Sequence, residues 1–196
     1  MDEKRDSTGR GKRGGYSPGI SSAEALLDAT AALLQEKGYF GTGLNEILKN
    51  SGAPRGSLYH HFPGGKDELV IRALQRSAGQ LQLSLQSVAA SQGMQAFISF
   101  FKDRLLVSNF SKGCPVASVA QEVSTHRPEI LEVCSAIYRE WENALAEYLG
   151  GEASLTRARA ILCQLEGAIL LAKTHKDISY LDLVLASDTP ANQRDK

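Results

Sequence analysis

Apolar residues recur three and four positions apart along most of the chain, and no stretch shows the strict apolar–polar alternation of a half-buried strand. Ser21-Ser22-Ala23-Glu24 fits a capping box, so a first helix starts there. It carries Leu26, Thr30, Leu33 and Leu34 inward and stops at Gly38. Thr42-Gly43 opens a short second helix with Leu44, Ile47 and Leu48 on its inner face, and Ser51-Gly52 turns the chain. Pro54 then opens a third helix, suited to its missing N–H, which the glycine pair after Pro63 closes about two turns later. Leu58 and Phe62, one turn apart, anchor it to a core.

From Lys66 to about Val88 the stripe Val70, Leu74, Ser77, Leu81, Leu85 and Val88 predicts a long helix, about 34 Å at the usual rise per residue. Gly79 inside it predicts either a bend or a close-packing position. Gln92-Gly93 interrupts the pattern, and Met94, Phe97, Ile98, Phe101 and Leu105 resume it, with Phe100 off the stripe. A short helix follows from Pro115 with Val116, Val119, Ala120 and Val123 inward. A long one starts at Pro128 and reads Ile130, Cys134, Ile137, Trp141, Leu145 and Tyr148 until Gly150-Gly151 ends it. Its partner runs from about Leu155 to His175, where Ala158, Ala160, Gly167, Ala168 and Ala172 alternate with Ile161, Leu162, Leu165 and Ile169 and permit close helix approach. A last short helix is expected from about Asp177 to Leu185. The fold class is therefore all-α, with a helical unit over 20–65, a larger one over 66–185, and disordered ends at 1–19 and 186–196.

The third helix is too short to be mainly a packing element. Once Leu58 and Phe62 point inward, Arg55, Ser57, Tyr59, His60 and His61 divide between flanks and solvent. A three-helix unit with a glycine turn between two short helices has the outline of a helix–turn–helix, whose second helix enters the major groove. Arg55 then suits a base edge or a phosphate. Tyr59, His60 and Lys66 suit the phosphate backbone, and Thr42 offers a hydroxyl. Tyr59 can equally seal the helix pair, and His61 can equally be a surface or packing residue. Lys66 stands in the first turn of its helix, where the macrodipole disfavours a cation by about 0.3–1 kcal/mol, so an external phosphate is the partner expected for it.

Composition narrows the remaining classes. Hydrophobic residues make up 42% of 196, ample for a core, and the formal net charge is zero, which excludes a protein that coats nucleic acid by bulk charge but not one with a local patch. The stretch 1–19 holds Lys4, Arg5, Arg10, Lys12 and Arg13 and is either a solubilising tail or a basic arm for phosphates or the minor groove. No apolar run is long enough for a membrane span and no signal-peptide core is seen, so a cytoplasmic protein with no membrane partner is expected. Cys114, Cys134 and Cys163 are unpaired in spacing and read as buried structural thiols, with a redox or ligand-contacting thiol as the alternative. His60 and His61 point about 100° apart on a helix, and no further ligand lies at useful spacing, so no metal and no cofactor are expected. Gly64-Gly65-Lys66 lacks the context of a phosphate-binding loop. Paired carboxylates and a nucleophile with its base are also missing, which leaves an enzyme as a remote alternative.

The segments Gly38-Tyr39, Thr42 to Ile47, Gly52 to Phe62 and Lys66-Asp67-Glu68-Leu69 together resemble the DNA-binding domain of the TetR family. Gly43 in place of a Ser or Thr cap, the longer Pro63-Gly64-Gly65 link, and Gly113-Cys114-Pro115-Val116 resemble the LmrA/YxaF-like branch. The resemblance implies DNA contacts drawn from Thr42, Arg55, Gly56, Ser57, Tyr59, His60, His61 and Lys66, with phosphate contact at Tyr59 and Lys66 in particular. It also implies a homodimer through the two long C-terminal helices, a palindromic operator in double-stranded DNA, and a pocket among the middle helices for a small-molecule effector that releases a repressor. Candidate pocket residues are Phe97, Phe101, Phe110, His126, Tyr138 and Trp141, each of which taken singly reads more readily as core or dimer interface, and whose aromatic walls would suit an apolar or aromatic effector. A DNA-binding architectural protein without a ligand is the competing reading.

Overall fold

The computed structural model describes residues 21–123 and 125–186, with side chains except at 84–92 and 185–186. Among these residues all regular structure is helical: α1 (Ser22–Gly41), α2 (Leu44–Ser51), α3 (Arg55–His61), α4 (Gly65–Val107), α5 (Pro115–Val123), α6 (Pro128–Leu149), α7 (Ser154–His175), a 3-10 turn at Ile178–Asp182, and α8 (Leu183–Ala186). The basic stretch 1–19 and the tail beyond Ala186 lie outside the described residues. Ala186 itself, expected in the tail, closes α8.

The capping box at the start of α1 forms in both directions, with the Ser21 side chain accepting from the Glu24 amide and the Glu24 carboxylate accepting from the Ser21 amide. Gly38 does not end this helix outright. It breaks it at φ 67°, ψ −165°, a backbone region essentially reserved for glycine, and one further turn carries the chain through Tyr39 to Gly41. Pro54 falls one position earlier than expected: it is the N-cap of α3, in extended conformation, and Arg55 is the first helical residue. Gly93, at φ 78° and ψ −175°, breaks α4 where the apolar stripe is interrupted.

Among the described residues three clusters form the core. Leu26, Leu33, Ile47, Leu58, Phe62 and Leu69 knit α1, α2 and α3 to the first turns of α4. Leu34, Tyr39, Val70, Leu74, Val119 and Ile130 join α1 and α4 to α5 and α6. Phe97, Ile98, Leu105, Ile161, Leu165 and Leu181 join the second half of α4 to α7 and the 3-10 turn. Burying a Leu or Phe side chain contributes about 1.5–3 kcal/mol, so the second cluster, in which Tyr39 and Leu34 of α1 meet Val119 and Ile130, holds the three-helix head firmly on the rest of the chain.

Four expectations need correction. Gly79 neither bends nor packs: it is exposed inside regular helix, and an added Cβ would meet nothing within 4 Å. Cys163 is exposed rather than buried, because it points away from the α6 face of α7; Cys134 is buried and Cys114 half-buried. Tyr148 ends the α6 stripe in solvent at 44% exposure. The final helix is a 3-10 turn capped by Asp177, which accepts from the Ser179 amide, followed by a single α turn.

Candidate nucleic-acid interface and cavity

α3 is presented by its two anchors. Leu58 and Phe62 are almost fully buried, and that orientation leaves Arg55, Gly56, Tyr59 and His60 exposed on the other side, with Ser57 half-buried. Arg55 donates to the Asn45 side chain of α2 at 2.5 Å, which steadies the guanidinium beside the face it would read. Glycine at 56 meets nothing within 4 Å of a would-be Cβ, so the surface there is open. Tyr59 is 48% exposed and does not seal the helix pair.

Two candidates are committed elsewhere. Thr42 is fully buried and its hydroxyl donates to the Gly38 carbonyl at 2.6 Å, so the hydroxyl contact expected of it is not available at the surface. His61 is half-buried and its Nε2 lies 3.0 Å from the Ser22 hydroxyl, tying the end of α3 to the start of α1. Of the two local alternatives for His61, packing is the one realised.

Lys66 has an internal partner that the sequence did not disclose. Its ammonium donates to the Tyr39 carbonyl at 2.8 Å and lies 4.1 Å from the centre of the Tyr39 ring. The cation is misplaced with respect to α4 but correctly placed at the carbonyl end of α1, where the macrodipole favours it. Partial burial pulls its pKa down. The ammonium keeps further donors for an outside oxygen.

Tyr39 sits at the centre of a larger junction. Its hydroxyl donates to Asp67 of α4 and accepts from Arg127 Nε at 3.2 Å, and Arg127 also pairs with Asp67 at 3.2 Å. Burial raises the Tyr39 pKa. On the other side of the bend, Glu122 of α5 accepts from the Phe40 amide at 2.7 Å. A Cβ at position 38 would fall inside the Glu122 carboxylate, 2.7 Å from its Cδ, so a side chain there would displace Glu122 in addition to straining a backbone angle that favours glycine.

Beyond this junction lies a cavity of about 990 Å³ bounded by α1, α4, α6 and α7 and by the start of α5. Phe97, Phe101 and Trp141 line it as expected. Phe110 does not: it follows the end of α4 in left-handed conformation and packs on the cluster around Ile161 and Leu181. His126 does not either, being exposed in the turn between α5 and α6. Tyr138 stands one layer behind the wall, where its hydroxyl donates to Glu166 at 3.2 Å. The lining residues missed include Phe100, Cys114 and Glu166. Glu166 had a legible signal, a carboxylate in the apolar run Leu162, Leu165, Ile169 of α7. Burial raises its pKa, and burial also raises those of Cys114 and Tyr138. The indole N–H of Trp141 is buried and has no hydrogen-bond partner among the described residues. No group of metal-ligating side chains occurs among the described residues, and no helix among them is long and apolar enough to cross a membrane.

A short exposed helix, braced by a second across a left-handed glycine turn at Gly52 and seated on a three-helix core, defines a helix–turn–helix DNA-binding protein. Residues 26–73 match the family described as "Bacterial regulatory proteins, tetR family", and residues 90–187 match "Transcriptional regulator LmrA/YxaF-like, C-terminal domain". The chain is 35% identical over 170 residues to the HTH-type transcriptional regulator LmrA of Bacillus subtilis (strain 168), covering 82% of this chain and 90% of that protein. It is also 35% identical over 185 residues to the HTH-type transcriptional regulator YxaF of the same strain, covering 89% and 96%. The protein belongs to the TetR family of transcriptional regulators, in its LmrA/YxaF-like branch. It is a DNA-binding regulator and not an enzyme. The regulatory protein TetR from Rhodobacter sphaeroides shares the fold at a TM-score of 0.78, with 21% identity over 85% of this chain and 96% of that one.

Proposed function

We propose that the protein is a homodimeric repressor that binds a palindromic operator and is released by a small apolar or aromatic ligand held in the cavity. The division of labour follows the chain, with residues 20–65 reading DNA and residues 66–185 holding the ligand and the partner copy. Arg55 serves a base edge, Tyr59, His60 and Lys66 serve phosphates, and Gly56 and Ser57 form the floor between them. Dimerisation through α6 and α7 is supported by the outward stripe Ala160, Cys163, Leu170 and Leu171 on α7, where Leu170 and Leu171 are 56% and 42% exposed. A two-fold dimer accounts for a palindrome, since each head reads one half-site.

One observation carries the ligand response. Helix α5 has Pro115 and Val116 in the cavity wall and Glu122 on the backbone of the bend in α1. A molecule that shifts the first turn of α5 therefore moves a group that holds the head. The resulting change in operator affinity equals the ligand's differential affinity for the two arrangements.

The test is selection of bound fragments from the host genome by the full chain, followed by footprinting. One discrete protected site with two-fold symmetry is expected. Protection without sequence preference, or a site with a single half, refutes the reading and leaves an architectural DNA-binding protein.

A further inference from the structure

The wall of the cavity carries a charge preference as well as an apolar one. Phe97, Phe100, Phe101 and Trp141 supply rings around it. Phe101 meets Phe97 and Phe100 edge to face, with centroids 5.3 Å and 5.4 Å apart. An edge-to-face pair occupies one ring's face, and Arg104 lies over that of Phe100, so a further partner is left the negative π charge of the remaining faces.

One carboxyl sits among these rings. Glu166 is half-buried, and what it is exposed to is the cavity. Its neighbours are the Tyr138 hydroxyl and the Cys114 thiol, both hydrogen-bond donors, and among the described residues no lysine, arginine or histidine acts on it. The rest of the lining holds Asp28, Asp103 and Glu147 with Arg104 and Lys112, and Asp28 is already paired with Arg76 at 3.2 Å. Both lining cations are engaged: Arg104 lies 5.5 Å from the centre of the Phe100 ring, and Lys112 faces Glu36 at 3.9 Å.

A buried carboxylate without a counter-ion is costly, so burial disfavours the charged form of Glu166. A ligand that brings a positive charge removes that cost, because the carboxylate becomes half of an ion pair already supplied with two donors. The same charge gains from the ring faces left open to the cavity, and gains more because the site is desolvated. Neither a neutral ligand nor an anion has this advantage, and an anion is repelled once Glu166 ionises.

We propose that the cavity takes a lipophilic organic cation, a molecule with an apolar or aromatic body and a single positive centre, with Glu166 as its counter-charge. This rests on the reading of the cavity as the effector site and names the ligand class for it.

Trp141 is the only tryptophan of the chain and stands in the wall, so its fluorescence reports occupancy. The full chain is titrated with tetraphenylphosphonium, with its isosteric anion tetraphenylborate, and with neutral triphenylphosphine oxide. The expected result is saturable quenching by the phosphonium at an affinity at least about tenfold above the neutral probe, with the borate weakest. Glu166→Gln, checked for helicity by circular dichroism, brings the phosphonium down to the neutral probe's affinity. If that variant does not fold, the order of the three probes on the unaltered protein decides. A neutral probe that binds as tightly as the phosphonium overturns the proposal, as does a cation preference that survives Glu166→Gln. Binding of the neutral probe without cation preference defeats only the charge assignment, whereas no response to any of the three also removes the cavity from the effector reading.

Discussion

Replacing Gly38 with alanine separates the two reasons for glycine at the bend in α1. The first is backbone conformation. At φ 67° and ψ −165° a residue with a Cβ carries about 1–3 kcal/mol of strain. The second is space, because the Glu122 carboxylate occupies the position that a Cβ would take. To make room, Glu122 must give up the Phe40 amide, now at 2.7 Å. A hydrogen bond to a charged group contributes about 1.5–3 kcal/mol, and this one is exposed, so about 1 kcal/mol is a fair allowance. Gly38→Ala should therefore cost about 2–4 kcal/mol in urea unfolding followed by circular dichroism. In a Glu122→Ala background the steric share is already absent, and the same substitution should cost about 1–3 kcal/mol, the backbone share alone. A cost below about 0.5 kcal/mol in the unaltered background, or equal costs in both, would refute the reasoning.

Gly79→Ala should act in the opposite sense, since the site is exposed, helical and unobstructed, and a gain of about 0.5–1 kcal/mol is expected in the same unfolding assay. Glu166→Gln should change how stability varies with pH. Burial raises the Glu166 pKa, so the native chain holds this proton more tightly than the unfolded chain, and its contribution declines as pH rises from the ordinary carboxyl range through the raised value. The variant should match the parent in melting temperature near pH 4 and exceed it near pH 8; a deficit at both would show that the carboxyl has another structural role. Lys66→Ala should weaken binding to every DNA sequence and lower the slope of log affinity against log salt by about one phosphate contact. An unaltered slope would leave Lys66 as an internal clamp only. Arg55→Ala should instead relax preference at one base pair, by about 1–3 kcal/mol, with the salt slope little changed if the contact is to a base.

The helices were legible because their signals are local. Capping at Ser21, the prolines at 54, 115 and 128 and the breaks at Gly38 and Gly93 act within a turn of themselves, and the structure moves them by a residue or two at most. Leu58 and Phe62 fixed the outward face of α3 by spacing alone. Partners distant in sequence were not legible. Nothing near His61 announces Ser22, 39 residues earlier. Thr42 is a local exception, since its hydroxyl returns to the Gly38 carbonyl only one helical turn back. The cavity followed the same rule. Phe97, Phe101 and Trp141 lie on stripes that meet, whereas Phe110 leaves its helix through a left-handed turn, and that change of direction takes it out of the wall.

Lys66 shows why a broken local rule is informative without being decisive. Its charge opposes the dipole of α4, and an external phosphate is one resolution of that conflict. The carbonyl end of α1 is another, and both can hold at once because Tyr39 occupies only part of the ammonium's capacity. The dual engagement has a mechanical consequence. Tyr39 is also tied to Asp67 and Arg127, while its neighbours in the bend meet Glu122. A shift of α5 or of the start of α6 therefore acts on the same carbonyl that positions the Lys66 ammonium. Under the proposed phosphate contact, the Lys66 ammonium and the bend of α1 move as a unit, so loss of that contact does not require the head itself to unfold or α3 to change its seat on Leu58 and Phe62.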